Sequence, residues 1–194
     1  MSVVVAVKEN GVVYMGADTQ TSSGFRKVNY LNENEFKILK FSNGILVGIC
    51  GVVASEQCLL AEPTLFSLED GNRLTKKHIV NKIIPKIIEI LAKNVCLDKD
   101  DGTMDISIIL AYKDSIYRIK RDFTVFGVEK YAAIGAGKSY ALYSLINDEK
   151  TVQERILSAL HVSSKKVDSV SAPYILINTK DLKFEVIDDC GNQG

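Results

Sequence analysis

Residues 1–24 read MSVVVAVKENGVVYMGADTQTSSG. Two short runs of small and β-branched residues, 2–7 (SVVVAV) and 12–17 (VVYMGA), flank KENG, and its Asn10-Gly11 pair is the strongest short-range signal for a hairpin. The chain therefore opens with two antiparallel strands. Neither run alternates apolar with polar residues, so both faces of their sheet are expected to be covered. The first side chain after the initiator is the hydroxyl of Ser2. With Met1 removed, this one residue would carry a nucleophile and a free α-amine.

Downstream, a polar stretch rich in Asn and Ser (18–35, DTQTSSGFRKVNYLNENE) leads to the strand-like FKILKF, the turn SNG and the apolar ILVGICGVV, a second hairpin. From Ala54 the pattern turns helical, with Pro63 expected to close or kink the helix. Over 75–96, Ile79, Val80, Ile83, Ile84, Ile87, Ile88, Leu91 and Val95 place a wide apolar stripe on a helix, kinked at Pro85 for want of an N–H. DKDDGTMD reads as a loop, DISIILAY and SIYRIK as a hairpin about Lys113-Asp114, and FTVFGVEKYAAIGAG as one or two strands ending in glycines. Helices near 138–147 and 151–164 follow, and PYILINT with KFEVID forms a last hairpin.

Strands and helices thus come in blocks rather than alternately, which disfavours a parallel βαβ sheet. One α+β domain over 1–194 is expected, with two antiparallel sheets stacked face to face and a helix pair on each outer side.

Composition narrows the functions. Lys plus Arg number 24 and Asp plus Glu number 24, so no basic field exists to neutralise phosphates, and neither nucleic acid nor an anionic membrane is an expected partner. Cys50, Cys58, Cys96 and Cys190 form no C-x-x-C pair and have no matching histidine cluster, which argues against zinc and a disulfide framework and for a reduced cytoplasm. The N-terminal apolar run stops at Lys8 and Glu9, too short for a signal segment, and no stretch approaches the roughly 18 apolar residues of a membrane span. A soluble, unexported protein is expected.

Three features imitate ligand sites. GAGKS (135–139) resembles the end of a phosphate-binding loop, but Ala132 stands where the first glycine belongs. DKDDGTMD has the acids of a calcium loop without its spacing. His78 and His161 have no second histidine at ligand spacing and read as surface or packing residues. No metal or cofactor is called for.

GVVYMGADTQTSSG, FKILKF, GICGVVASEQ, AAIGAGKSYAL and DSVSAP occur in an order and spacing that resembles proteasome β subunits and the peptidase subunit of the bacterial HslUV protease. The resemblance runs from Ser2 to about Ile187. Gly16-Ala17-Asp18-Thr19-Gln20 is similar to the family's G-x-D-x-[QR] turn. Lys37-Ile38 matches its Lys-Ile or Lys-Val pair, Cys50-Gly51 its glycine turn, and Asp168-Ser169-Val170-Ser171 its D-x-x-S. The implied fold is the four-layer αββα sandwich of N-terminal nucleophile hydrolases.

The chemistry accounts for the residue types. A serine hydroxyl needs a base, and an α-amine titrating near ~7.7–8.0 is partly neutral at physiological pH and can serve as one. A lysine ammonium beside the nucleophile would lower the pKa of the attacking group, with a carboxylate holding that lysine; Lys37 and Asp18 are the candidates. The Gly51 N–H would face the developing oxyanion. By resemblance, Asp168 and Ser171 would contact and orient the amine. The resemblance further implies peptide or unfolded protein as substrate, a homo-oligomeric ring, and an ATPase unfoldase as partner.

Three departures stand out. The family nucleophile is usually threonine, whose methyl restricts χ1, so Ser2 would be less rigidly aimed. Gly135-Ala136-Gly137 replaces the frequent G-S-G, and the segment between Gln20 and Lys37 is longer than in the HslUV peptidase. An acyl-enzyme can be resolved by an amine as well as by water, so a transpeptidase or amide ligase stays open beside the peptidase. A non-catalytic structural ring subunit is the third possibility.

Overall fold

The computed structural model describes residues 2–23, 26–29, 31–147 and 150–188; Met1 and Cys190 lie outside the described residues. The opening hairpin forms as expected. Strands β1 (Val3–Glu9) and β2 (Val12–Asp18) pair antiparallel, and Asn10 and Gly11 both take positive φ, 50° and 76°, which a two-residue primed turn requires.

Next come a polar ribbon, β3 (Gln20–Ser23) with β4 (Arg26–Asn29), a 3-10 turn (Glu33–Glu35), β5 (Ile38–Lys40) and β6 (Leu46–Gly51). Helix α1 (Val53–Leu60) ends at Ala61, so Pro63 stands beyond its last turn. A second helical passage runs from α2 (Lys76–His78) through a π-helical segment (Ile79–Ile83) into α3 (Ile84–Lys93). The irregularity expected at Pro85 takes this form: Ile84 N donates to the Ile79 carbonyl five residues back, a widened turn just before the ring that cannot donate.

The second half contains β7 (Ile106–Tyr112), β8 (Ser115–Ile119), β9 (Val125–Val128), β10 (Tyr131–Gly135), α4 (Lys138–Asn147), α5 (Val152–Ser164), β11 (Tyr174–Asn178) and β12 (Glu185–Ile187). A capping box starts α5: Thr151 Oγ1 accepts from Glu154 N, and Thr151 N donates to Glu154 Oε2.

Two five-stranded antiparallel sheets result, in the orders β10-β1-β2-β11-β12 and β5-β6-β7-β8-β9. The chain crosses between them after β9. Alternation along β1 shows why its apolar run is unbroken: Val4 and Ala6 face the second sheet with Met15, Ile38, Leu46 and Ile109, whereas Val3, Val5 and Val7 face α4 and α5 with Leu145, Ile156 and Leu160. Strand β6 does the same, Val47 and Ile49 turning outward onto Leu59, Ile79, Ile83, Ile87 and Leu91. Three apolar layers between four structural layers make the αββα sandwich, with each fully buried aliphatic side chain contributing about 1.5–3 kcal/mol.

Candidate active site

Four chain segments meet at one end of the sandwich. Ser2 lies directly before β1, Asp18 ends β2, Lys37 precedes β5 and Gly51 ends β6. Ser2, Lys37 and Gly51 line a cleft of about 380 Å³ together with Gln20, Thr21, Asn34, Glu35, Ile49 and α1 residues Val53, Glu56, Gln57 and Leu60.

An ion pair bridges the two sheets here. Lys37 Nζ lies 2.5 Å from Asp18 Oδ2 and donates to the Gln20 carbonyl at 2.5 Å. The other Asp18 oxygen, Oδ1, accepts from Val3 N at 2.8 Å, tying the carboxylate to the residue that follows Ser2. Asp18 is fully buried and Lys37 is 7% exposed. Burial pushes the Asp18 carboxyl above its ordinary range, opposed by the Lys37 ammonium and by the Val3 and Gln20 backbone N–H groups. With three donors on it, from Lys37, Val3 and Gln20, Asp18 is built as an acceptor that fixes the lysine.

Glycines shape the surroundings of Ser2. Gly135 has φ +92°, and a Cβ there would lie 2.1 Å from the Ser2 carbonyl oxygen, so the turn after β10 closes directly onto Ser2. Gly137 N approaches that same oxygen at 3.5 Å. Gly51 has φ +150°, and a Cβ would meet the Asp105 carbonyl oxygen at 2.2 Å. Along β6, Ile49 N donates to the Lys37 carbonyl on the β5 side, whereas Val52 N points to Asp105 on the β7 side. Backbone groups alternate sides along a strand, so the Gly51 N–H is directed like that of Ile49, past the end of the β5 ladder and toward the cleft.

Asp168 and Ser171 sit apart from this group. The Asp168 side chain is exposed and Ser171 is half-buried, and neither lines the cleft. Asp168 connects to the site through its backbone: its carbonyl accepts from Gln20 Nε2 at 3.2 Å. Gln20 thus touches Lys37 with its own carbonyl and the 168–171 loop with its amide, a bridging position that only its place in the turn motif marked in the sequence.

Two further ionisable groups belong to the site. Cys50 is buried beside the Gly135 turn, and burial pushes its thiol well up, holding it protonated and unreactive. Glu56, on α1, has its carboxyl pushed up to about 7 by burial, against the pull of Lys37. Nothing in ASEQC separates Glu56 from a surface glutamate, because apolar and polar positions of α1 are not segregated onto two faces. Among the described residues, no group of three or more His, Cys, Asp or Glu could hold a metal ion, and no helix is long and apolar enough to cross a membrane.

The layered arrangement is the fold of proteasome-like N-terminal nucleophile hydrolases. The chain superposes on BPH from Thiobacillus denitrificans with a TM-score of 0.75 and 21% identity, covering 93% of this chain and 98% of that one. It is similar to the eukaryotic HslV of Trypanosoma brucei at TM-score 0.64 and 16% identity, covering 91% of this chain and 98% of that one. An Anbu Gly-1 mutant from Hyphomicrobium sp. strain MC1 gives 0.73 and 13%, over 98% of this chain and 88% of that one. No protein-family model and no curated protein matches the sequence.

Proposed function

We propose that the chain is a proteasome-like N-terminal nucleophile peptidase, cleaving peptide bonds through an acyl-enzyme on Ser2 once Met1 has been removed. The observation that carries this is the buried Asp18–Lys37 pair, tied through Val3 N to the strand that Ser2 begins and opening onto the cleft that Ser2 lines.

In the first half-reaction the Ser2 α-amine takes the Oγ proton, directly or through water, as Oγ bonds to the substrate carbonyl carbon. The carbonyl electron pair moves to oxygen, where the Gly51 N–H meets the oxyanion. Collapse breaks the C–N bond, the departing nitrogen takes the proton back from the ammonium, and water then hydrolyses the ester by the same route. Lys37 makes the hydroxyl and the amine easier to deprotonate, and Asp18 keeps the ammonium in place. Asp168 and Ser171 remain proposed as residues that orient the amine, reached through Gln20.

Peptide or unfolded protein would be the substrate, in the cytoplasm, within a homo-oligomer fed by an ATPase unfoldase. Self-association is supported by the likeness to Anbu, which in Pseudomonas aeruginosa is described as a helical assembly.

Mass spectrometry of protein from its native host tests the first requirement: an N-terminus at Ser2 is expected, and intact Met1 throughout the population would sink the proposal. A peptide vinyl sulfone should then add to Ser2, with Ser2→Ala and Lys37→Ala losing the adduct. Ala136, inside the turn that closes on Ser2, removes a hydroxyl from that turn and favours a second possibility, a non-catalytic ring subunit; absence of any adduct on a processed chain would support it. An added amine nucleophile in the product analysis separates hydrolase from ligase.

A further inference from the structure

One ionisable side chain of the cleft has no part in this chemistry. Glu56 lines the cavity from α1, and among the described residues no hydrogen bond or ion pair reaches its carboxyl. Lys37, the cationic side chain of the lining among the described residues, is occupied by Asp18 and the Gln20 carbonyl. Glu35 adds a second, exposed carboxylate to the lining. Among the described residues Glu56 therefore faces the cleft with no direct partner, its charge offset only by the longer-range pull of Lys37.

A half-buried carboxylate of this kind is stabilised by a cation that brings its own hydrogen-bond donors. Burial raises the Glu56 pKa to about 7, which fits a group whose partner is absent. In the same lining Val53 and Leu60 offer apolar surface suited to a methylene stem. A long aliphatic stem with a cationic head has both properties.

We propose that Glu56 makes this cleft select peptides with a lysine or arginine side chain next to the bond that Ser2 attacks. This rests on the proposed peptidase function, and two separate measurements keep the two ideas apart. Fluorescein-labelled tripeptide amides ending in Arg, Leu or Glu are titrated into the full-length Ser2→Ala chain, which binds without turnover, and Kd is read by anisotropy. The Arg peptide is expected to bind about tenfold tighter than the Leu peptide, and the Glu peptide weakest. Glu56→Gln should bring the Arg-to-Leu ratio toward one and Glu56→Arg should turn the preference to the Glu peptide, both in chains with native circular dichroism.

Equal affinity for Arg and Leu peptides, or no saturable binding of the Arg peptide up to millimolar concentration, overturns the proposal. An equal loss for all three peptides in Glu56→Gln also overturns it, since that outcome places Glu56 in service of the Ser2 amine. In parallel, vinyl sulfones of the same three sequences are applied to the wild-type chain and Ser2 adducts are followed by mass. Failure of every probe removes the peptidase function, whereas Arg-selective binding by the Ser2→Ala chain establishes the recognition by itself.

Discussion

Removing either partner of the Asp18–Lys37 pair leaves the other charged in a dry site. Lys37→Ala strands a carboxylate with no solvent exposure and should cost about 3–5 kcal/mol in urea denaturation. The double variant Asp18→Asn/Lys37→Met, neutral and of similar volume, should recover most of that stability without recovering Ser2 labelling; labelling in the double variant would show the pair to be structural only. Glu56 carries a pH signature. Its folded pKa of about 7 lies above its ordinary 4.5, so the folded state holds the proton more tightly than the unfolded one. The associated stability is complete below pH ~4.5 and is lost as pH rises through about 7. Glu56→Gln, neutral throughout, should match wild type near pH 4.5 and exceed it at pH 8 by at most ~3 kcal/mol; a difference that does not change with pH contradicts the burial. At this scale Ser2, Asp18, Lys37 and Gly51 were singled out in the sequence by motifs that resemble the proteasome family, and the structure gathers them at one end of the sandwich. Glu56 was not, because its burial is set by the packed structure and no pattern within α1 marks it.

Single elements carry their own tests. Helix α3 ends in a Schellman arrangement, Cys96 N donating to the Leu91 carbonyl and Val95 N to that of Ala92, which puts Val95 in the left-handed region at φ 58°. Glycine normally holds that place, and Val95 is 74% exposed, with little packing to lose. Val95→Gly should therefore stabilise the chain by about 1 kcal/mol, read as a raised melting temperature. Gly51→Ala should do the reverse: its methyl would overlap the backbone carbonyl of Asp105, the residue just before β7, and a folded variant losing less than ~1 kcal/mol would contradict the register at the end of β6. Hairpins and helices with clear turns or periodicity were readable in advance. The β3–β4 ribbon was not, since its polar sequence has no apolar period, and backbone pairing together with the Asn29 amide donating to the Ala172 carbonyl holds it in place.

Over the whole molecule, both sheets are shared between apolar layers: β1 faces α5 on one side and β6 across the other, so no layer is free to unfold alone. Far-UV circular dichroism and tyrosine fluorescence should give coincident urea transitions, the result proposed for one domain over 1–194, and two separated transitions would show the layers to be independent. Strand periodicity, the Asn10-Gly11 turn, the paired blocks of elements and the ordered motifs are local properties of the chain, and from them the sequence alone determined the layered architecture and most of the candidate residues. The meeting of the end of β2 with the start of β5, the closure of the Gly135 turn on Ser2, and the enclosure of Glu56 were decided only by tertiary structure. Those contacts join residues far apart in the chain, and burial, which shifts the carboxyls of Asp18 and Glu56, is a property of the stacked layers that no local stretch of sequence contains.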